Sequence, residues 1–258
     1  NSLPTPIATL GQGISVYEDT NNIVEGNTYY YRVDAEKMGL YIPGYEIEYL
    51  ASPTTMYLHD VFGDSSIIAT YNFNNDLTDL GGNYNASLYN GTEQYDTGIF
   101  NTNSVKFDGN TDIDLGALPE YSTVSLWVLF DNTSSVNGII GPYYSNGGIT
   151  AWSGDILRGY AVNTTYIDVI DDTSTIQTGV FHHLVITHDG LVYKGYFNNI
   201  EKVSVSSTNK NSFGRLLGAG NSISRSRNLN GRIDQLRFFN RAITPTEVDI
   251  LYQEGSGA

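Results

Sequence analysis

The sequence contains no cysteine, few basic residues and no long apolar segment. Without cysteine, no disulfide can stabilise the fold, and redox chemistry at thiols is excluded. Only 13 Lys and Arg residues stand against 28 Asp and Glu, a formal charge of −15. Such a surface repels nucleic-acid phosphates and anionic membranes, so we expect no nucleic-acid partner. The longest apolar run, Val124 to Phe130, is far shorter than the ~20 residues of a membrane helix, so we expect no membrane insertion.

The remaining composition is typical of a folded β-protein. Of 258 residues, 40% are hydrophobic and 16% charged, which favours a folded chain over a disordered one. The 27 glycines and 20 tyrosines, with many Asn, Ser and Thr, favour short strands joined by turns. The chain begins at Asn1 without a signal-peptide pattern, which indicates a processed start or a missing upstream segment.

Strand patterns recur about every ten residues from Ile67 to the C-terminus, which is typical of a sandwich or jelly roll. Asp189-Gly190 lies between two such patterns and predicts a hairpin, and Asn198-Asn199 predicts the next turn. The stretch 123–130 is apolar on both faces, so we expect it to be central in its sheet.

One helix is predicted, near the C-terminus. The sequence Thr-Pro-Thr-Glu at 244–247 combines a capping box with proline at the first helical position. We expect Val248 and Leu251 to face the sandwich and Gly255 to end the helix.

Residues 1–52 form a separate unit in this interpretation. Alternation over 29–33 and the stretch 45–50 predict two strands. The phrase ISVYEDTNNIVEGNTYYYRVDAEK resembles the later half of a fibronectin type III domain, an Ig-like fold. Because about half of that domain is present, we expect this partial β unit to be ordered by contact with another chain or a partner segment. Residues 53–65 are predicted to be a connector.

Two longer segments resemble the concanavalin A-like, laminin-G-type jelly-roll family. They are FHHLVITHDGLVYKGYFNN (Phe181 to Asn199) and LNGRIDQLRFFNRAITPTEVDILYQEG (Leu229 to Gly255), with Asn-Asn at the second turn where the family has Asn-Gly. The resemblance implies that residues 66–258 fold as an all-β, two-sheet antiparallel jelly-roll sandwich with a short C-terminal helix.

The segment Asp60 to Phe100 looks like the opening of such domains in virion proteins of tailed phages. That resemblance implies a capsid or tail appendage on the virion surface, with a secreted or bacterial cell-surface location as the alternative. The expected partners are other virion or surface proteins, copies of the same chain, and host glycans.

A calcium site is the first candidate site. The family resemblance implies that the Asp of the closing strand binds Ca²⁺ together with oxygens from the opening segment. Asp234 matches that strand position, and Asp79 and Asn83 lie in a loop that offers the hard oxygen ligands Ca²⁺ requires. The alternative is that Asp234 caps a turn or pairs with Arg232 or Arg237.

A glycan site is the second candidate. Sugar rings stack on exposed aromatic side chains, while Asn and Asp bind hydroxyl groups. The segment 141–155 supplies both kinds of side chain: Tyr143, Tyr144, Asn146, Trp152 and Asp155. The alternative is that these aromatic residues belong to the sandwich core.

Catalysis is the third candidate. Glycoside hydrolysis needs two carboxylates about 5–9 Å apart, and Asp112 and Asp114 have a suitable spacing on one strand. The Glu-x-Asp-x-x-Glu strand of hydrolases with this fold is absent. His182, His183 and His188 do not converge at strand spacing. We therefore expect no enzyme.

These patterns predict a non-enzymatic structural or adhesion protein whose laminin-G-like domain binds glycans or a host surface. A capsid or tail decoration protein with only protein contacts is the alternative. A diverged glycoside hydrolase is the third possibility.

Overall fold

The structure, a computed structural model, describes residues 28–32, 35–37, 40–42, 46–50, 59–100, 102–133, 137–141, 148–152, 156–160, 166–170, 176–208, 214–219 and 228–256. The chain divides into two compact units, Asn1–Met56 and Tyr57–Ala258.

The N-terminal unit contains two antiparallel ladders in its described part. Strand β1 (Thr28–Arg32) pairs with β4 (Glu46–Leu50), and β2 (Ala35–Lys37) pairs with β3 (Leu40–Ile42). Both strands predicted here are confirmed. The fibronectin type III likeness and the contact with another chain stay predictions.

The second unit is an antiparallel sandwich followed by one helix. Its strands are β5 (Ile67–Tyr71), β6 (Ser87–Asn90), β7 (Tyr95–Thr97), β8 (Asn103–Asp108), β9 (Asp112–Asp114), β10 (Thr123–Phe130), β11 (Asn137–Gly141), β12 (Gly148–Trp152), β13 (Ile156–Tyr160), β14 (Tyr166–Ile170), β15 (Phe181–His188), β16 (Val192–Phe197), β17 (Ile200–Ser206), β18 (Leu216–Leu217) and β19 (Asn230–Phe239). Helix α1 spans Pro245–Ser256.

Among the described strands, the larger sheet has the order β17-β16-β15-β10-β19-β8-β7, and β5 also pairs with β19. The smaller sheet has the order β14-β13-β12-β11-β18-β9-β6. The predicted all-β jelly-roll sandwich with a short C-terminal helix is confirmed.

Strand β10 is buried on both faces. Its even-numbered residues, Val124 to Phe130, join the apolar core between the sheets. Its odd-numbered residues face the opposite side of the large sheet, called here the outer face, and they too are buried. The strand lies between β15 and β19, so its predicted central position is confirmed.

Helix α1 and the segment before β5 cover the outer face. Val248 and Leu251 of the helix pack with Val185, Tyr196 and Phe239 of the sheet, and Val61, Phe62 and Ile67 pack against the same cluster. The start of the sandwich was therefore predicted too late: residues 59–65, assigned to a connector, belong to the sandwich unit because their apolar side chains close its outer face.

The predicted turns are confirmed by their backbone geometry. Asp189 accepts the backbone N–H groups of Leu191 and Val192 at 2.9 and 2.8 Å, and Gly190 has φ 99°. Asn198 and Asn199 both have positive φ, 48° and 66°, a conformation that Asn tolerates. These turns fix the register of the β15-β16-β17 meander.

A capping box begins helix α1, as predicted. The Thr244 N–H donates to Glu247 Oε2 at 2.7 Å, and the Glu247 N–H donates to Thr244 Oγ1 at 3.3 Å. Arg241 reinforces it by donating to Glu247 and to Asp64, with its guanidinium 5.6 Å from the Phe62 ring centroid.

Within the described residues, no helix is long and apolar enough to span a membrane.

Replacing Arg241 with Met should loosen helix α1, because Glu247 and Asp64 would both lose their cation. We expect a loss of about 1 kcal/mol in the free energy of unfolding, the upper end of the range for part-exposed ion pairs. Urea unfolding of Arg241→Met against Lys202→Met, which removes an exposed cation on β17, measures this. Equal stability of the two variants would contradict it.

Candidate functional site

A bulge in β19 shapes the polar part of the outer face. The register between β10 and β19 jumps from the Ser125–Arg237 pair to the Trp127–Asp234 pair. Gln235 lies in the bulge with φ 50°. Because a bulge changes the direction of the side chains around it, it brings Asp234, Gln235 and Arg237 into contact with groups outside the ladder.

Asp234 is fully buried and holds the connection between β7 and β8. Its Oδ2 accepts the Ile99 N–H at 3.0 Å, and its Oδ1 accepts the Gln235 N–H at 2.8 Å. A Cβ added at Gly98 would lie 2.3 Å from Oδ2, so the connection fits closely around the carboxylate. Burial raises the pKa of Asp234 to about 7. In the structure the carboxylate therefore holds a turn in place. This role is the alternative to calcium binding that the sequence predicts.

The two predicted arginine partners of Asp234 have other ion pairs. Arg232 Nη2 lies 2.9 Å from Asp96 Oδ2, and Arg237 Nη1 donates to Glu254 Oε2 at 2.7 Å.

Asp79, the second predicted calcium ligand, organises the loop between β5 and β6. Its Oδ1 accepts the N–H groups of Thr70 and Gly81 at 2.9 and 3.1 Å. Its Oδ2 accepts those of Asn83 and Tyr84 at 3.1 and 3.2 Å. Four N–H donors occupy the acceptor sites of the carboxylate, an arrangement that favours a structural role for Asp79, and calcium binding by Asp79 stays a prediction.

Asn83 contributes its backbone N–H to Asp79. In the part of the chain that the structure describes, no three His, Asp or Glu side chains form a group that could hold a metal ion. Calcium binding through Asp234 and Asn83 stays a prediction.

An aromatic and polar cluster occupies the outer face beside Asp234. We name it the Trp127 face: Trp127, His183, Arg237, Tyr252 and Glu254. The Trp127 ring stacks with His183 at a centroid distance of 4.9 Å and with Tyr252 at 5.6 Å. Sequence reasoning missed this cluster, although an arginine between Leu236 and Phe238 in β19 was a signal for it.

Two polar atoms of the Trp127 face are buried without a hydrogen-bond partner. They are Arg237 Nε and His183 Nδ1, while His183 Nε2 lies 2.9 Å from Ser125 Oγ. Burial, with Arg237 nearby, lowers the pKa of His183 to about 3, so its ring is neutral at pH 7. Buried unsatisfied groups cost stability, so each requires an explanation.

The predicted glycan residues fall on both sides of strand β12. Tyr143, Tyr144 and Asn146 precede β12, Trp152 is its last residue, and Asp155 follows it. The first and last residues of a five-residue strand are ~13 Å apart. The side chains of the predicted glycan residues lie outside the described residues, so the site itself stays a prediction.

The acidic residues considered for catalysis have structural surroundings. Asp112 is 1% exposed. Asp114 accepts from Arg215 Nη2 at 2.5 Å and from the Gly116 N–H at 2.8 Å. A paired carboxylate and a buried one do not form the open pair that glycoside hydrolysis requires.

The three histidines have separate partners, as expected. His182 stacks on Phe197 and His188 on Tyr193, both against the core, whereas His183 stacks on Trp127 at the outer face.

The sequence profile of the concanavalin A-like lectin/glucanases superfamily matches residues 96–249. The chain belongs to this superfamily, as the fold also indicates. No curated protein matches the sequence.

Several solved structures resemble the chain. Domain 4 of AbnA, a GH43 extracellular arabinanase from Geobacillus stearothermophilus solved in complex with arabinotriose, is 27% identical with a TM-score of 0.60. The match covers 73% of this chain and 98% of that domain.

The binding domain of Paraclostridial Mosquitocidal Protein 1 is 18% identical with a TM-score of 0.57, covering 72% of this chain and 52% of that one. The receptor-binding domain of the botulinum neurotoxin C/D mosaic serotype is 20% identical with a TM-score of 0.55, covering 73% and 51%. The chain thus spans about half of these toxin domains, and they support the fold alone.

Replacing Asp234 with Asn should remove a pH dependence of stability. The folded pKa of about 7 lies above the ordinary value of 3.8 for an aspartate, so the folded state binds more protons between these values. The free energy of unfolding therefore falls as the pH rises from about 4 to about 7, at up to ~1.4 kcal/mol per pH unit.

Urea unfolding between pH 4 and 8 measures this slope. The difference between wild type and Asp234→Asn should shrink or reverse toward pH 8. In the control Asp96→Asn the fall should persist, because hydrogen bonds lower the pKa of Asp96 and it titrates below this window. Parallel profiles for wild type and Asp234→Asn would show that the pKa of Asp234 is not raised in the folded protein.

Proposed function

We propose that the sandwich unit is a non-catalytic glycan-binding module that acts outside the cell or on a surface. The observation that carries the proposal is the likeness to an arabinanase domain solved with arabinotriose, over 98% of that domain. Membership of a lectin/glucanase superfamily is consistent with it. The ligand class that this likeness favours is a neutral pentose oligosaccharide such as an arabino-oligosaccharide.

The surroundings of the acidic residues support binding over hydrolysis. Asp79 and Asp234 have their oxygens directed at backbone N–H groups, and Asp114 is paired with Arg215. A general acid and a nucleophile need open access to the glycosidic bond. These carboxylates instead stabilise loops and strand ends.

We propose a display role on a virion or a cell surface as the setting for this module. The resemblance of residues 60–100 to virion proteins supports it, and the alternative is a decoration protein that binds no sugar. A screen of immobilised glycans distinguishes the two, because selective binding supports the module and a blank screen supports pure decoration.

Replacing Trp152 with Ala should weaken binding of arabinotriose by about tenfold or more, since buried tryptophans dominate many binding interfaces. Isothermal titration calorimetry of wild type and Trp152→Ala with arabinotriose measures this. Leu191→Ala, which removes an exposed side chain on the β15–β16 turn, is the control and should bind like wild type. Equal affinity of Trp152→Ala would remove Trp152 from the site, and hydrolysis of the trisaccharide would refute the non-catalytic role.

The same titration tests calcium. A loss of affinity in EGTA that added Ca²⁺ restores would support Asp234 and Asn83 as ligands, whereas equal affinity would show that sugar binding needs no ion.

A further inference from the structure

We propose that the Trp127 face is a second, concealed binding site, for a sugar that carries a carboxylate, and that the last turn of helix α1 occupies it until the ligand arrives. The ligand class is a uronate-containing oligosaccharide, distinct from the neutral sugar of the proposed function. The inference rests on the proposed role in glycan binding, but it concerns different residues.

The two halves of helix α1 are held differently. The first half is fixed by its capping box, by Arg241, and by Val248 and Leu251, which are buried in the outer-face cluster. The last turn reaches the sheet through the ring of Tyr252 and the carboxylate of Glu254. The turn can therefore detach while the first half stays in place.

The charge of the last turn makes this turn less stable than the first half of helix α1. The negative end of the helix dipole lies at its C-terminus, where cations stabilise and anions destabilise. This turn has no basic residue and carries Glu254, whose carboxylate depends on Arg237 at 2.7 Å. The ion pair with Arg237 offsets this unfavourable charge, so losing the pair would loosen the helix end.

The surface beneath the turn has the chemistry of an acidic-sugar site. Trp127 offers an aromatic face, and Arg237 offers a guanidinium that binds carboxylates well. Trp127 and Ser125 lie on the same side of β10, and Ser125 pairs with Arg237, so Trp127 is a diagonal neighbour of Arg237, roughly 7–8 Å away. One sugar ring on Trp127 can therefore place its carboxylate at Arg237.

The unpartnered atoms favour a polar occupant. Arg237 Nε is buried without an acceptor, and His183 Nδ1 is buried without a partner. Arg237 is 2% exposed and His183 is 1% exposed. A ligand with hydroxyl and carboxylate oxygens would satisfy both, whereas the Tyr252 ring satisfies neither. The pair of Tyr252 and Glu254, a ring and a carboxylate, imitates such a ligand within the chain.

Fluorescence gives a direct test because the chain has two tryptophans, Trp127 and Trp152. In a Trp152→Phe background, excitation at wavelengths that tyrosine does not absorb leaves Trp127 as the only emitter. We expect a digalacturonate to change this emission as Tyr252 leaves the Trp127 ring, and we expect the matching neutral disaccharide, a digalactose, to leave it unchanged.

The variant Glu254→Gln should raise the affinity for the digalacturonate about tenfold, because it removes the carboxylate that competes for Arg237. Asp249→Asn is the matched control: it removes a carboxylate from the same helix that binds Asn199 and Gln253 instead of Arg237. Its affinity should equal that of the parent protein. Arg237→Lys should lower the affinity, since lysine cannot form the two-pronged contact.

Equal affinity of Glu254→Gln and the parent protein would overturn the inference. So would a result in which the capped peptide Tyr-Gln-Glu changes the Trp127 emission and the digalacturonate does not, because the face would then be a peptide site. If wild type binds arabinotriose by calorimetry but no variant binds the digalacturonate, this inference fails and the proposed function stands. If arabinotriose does not bind while the digalacturonate does, the ligand class given under the proposed function is wrong and this second site stands.

Discussion

The burial of the large sheet on both faces is the constraint on which the rest of the structure depends. All eight residues of β10 are buried, although only one face of the sheet packs against the smaller sheet. Each large apolar side chain removed from water contributes ~1.5–3 kcal/mol, so an open outer face would forfeit much of the stability. Helix α1 and the segment before β5 are the elements that prevent this.

Covering the outer face also encloses polar groups, and these groups then position their neighbours. Asp234 fastens the β7–β8 connection through the Ile99 N–H, and Arg237 fastens the end of helix α1 through Glu254. Because unsatisfied buried groups cost about 1–3 kcal/mol each, such contacts determine which segments are fixed and which can be displaced. The structural role of the outer face and the binding role that we propose for it are therefore linked.

The sequence predicted those parts of the fold that local patterns determine. The Asp189-Gly190 hairpin, the capping box before Glu247 and the doubly apolar stretch 123–130 each act within a few residues, and all three appear where they were expected. Residues 59–65 were wrongly assigned to a connector because a polar run follows Val61 and Phe62 in the sequence. The burial of these two side chains depends on a helix almost two hundred residues away.

The candidate sites depended on contacts that a linear pattern does not specify. An Asp/Asn-rich loop can supply oxygens to an ion or accept its own N–H groups, and at Asp79 the second arrangement holds. Asp234 and Arg237, three residues apart, lie on the same face of the sheet because the bulge at Gln235 shifts the register of β19, which no sequence periodicity indicates.

The unfolding of a chain shortened to end at Ile243 tests the central claim most directly, because this truncation removes helix α1 and leaves every strand in place. We predict the loss of the cooperative thermal transition and the binding of a dye that recognises exposed apolar surface, since Val185, Tyr196 and Phe239 would meet water. A cooperative transition at the midpoint of the full chain, with no dye binding, would contradict the account.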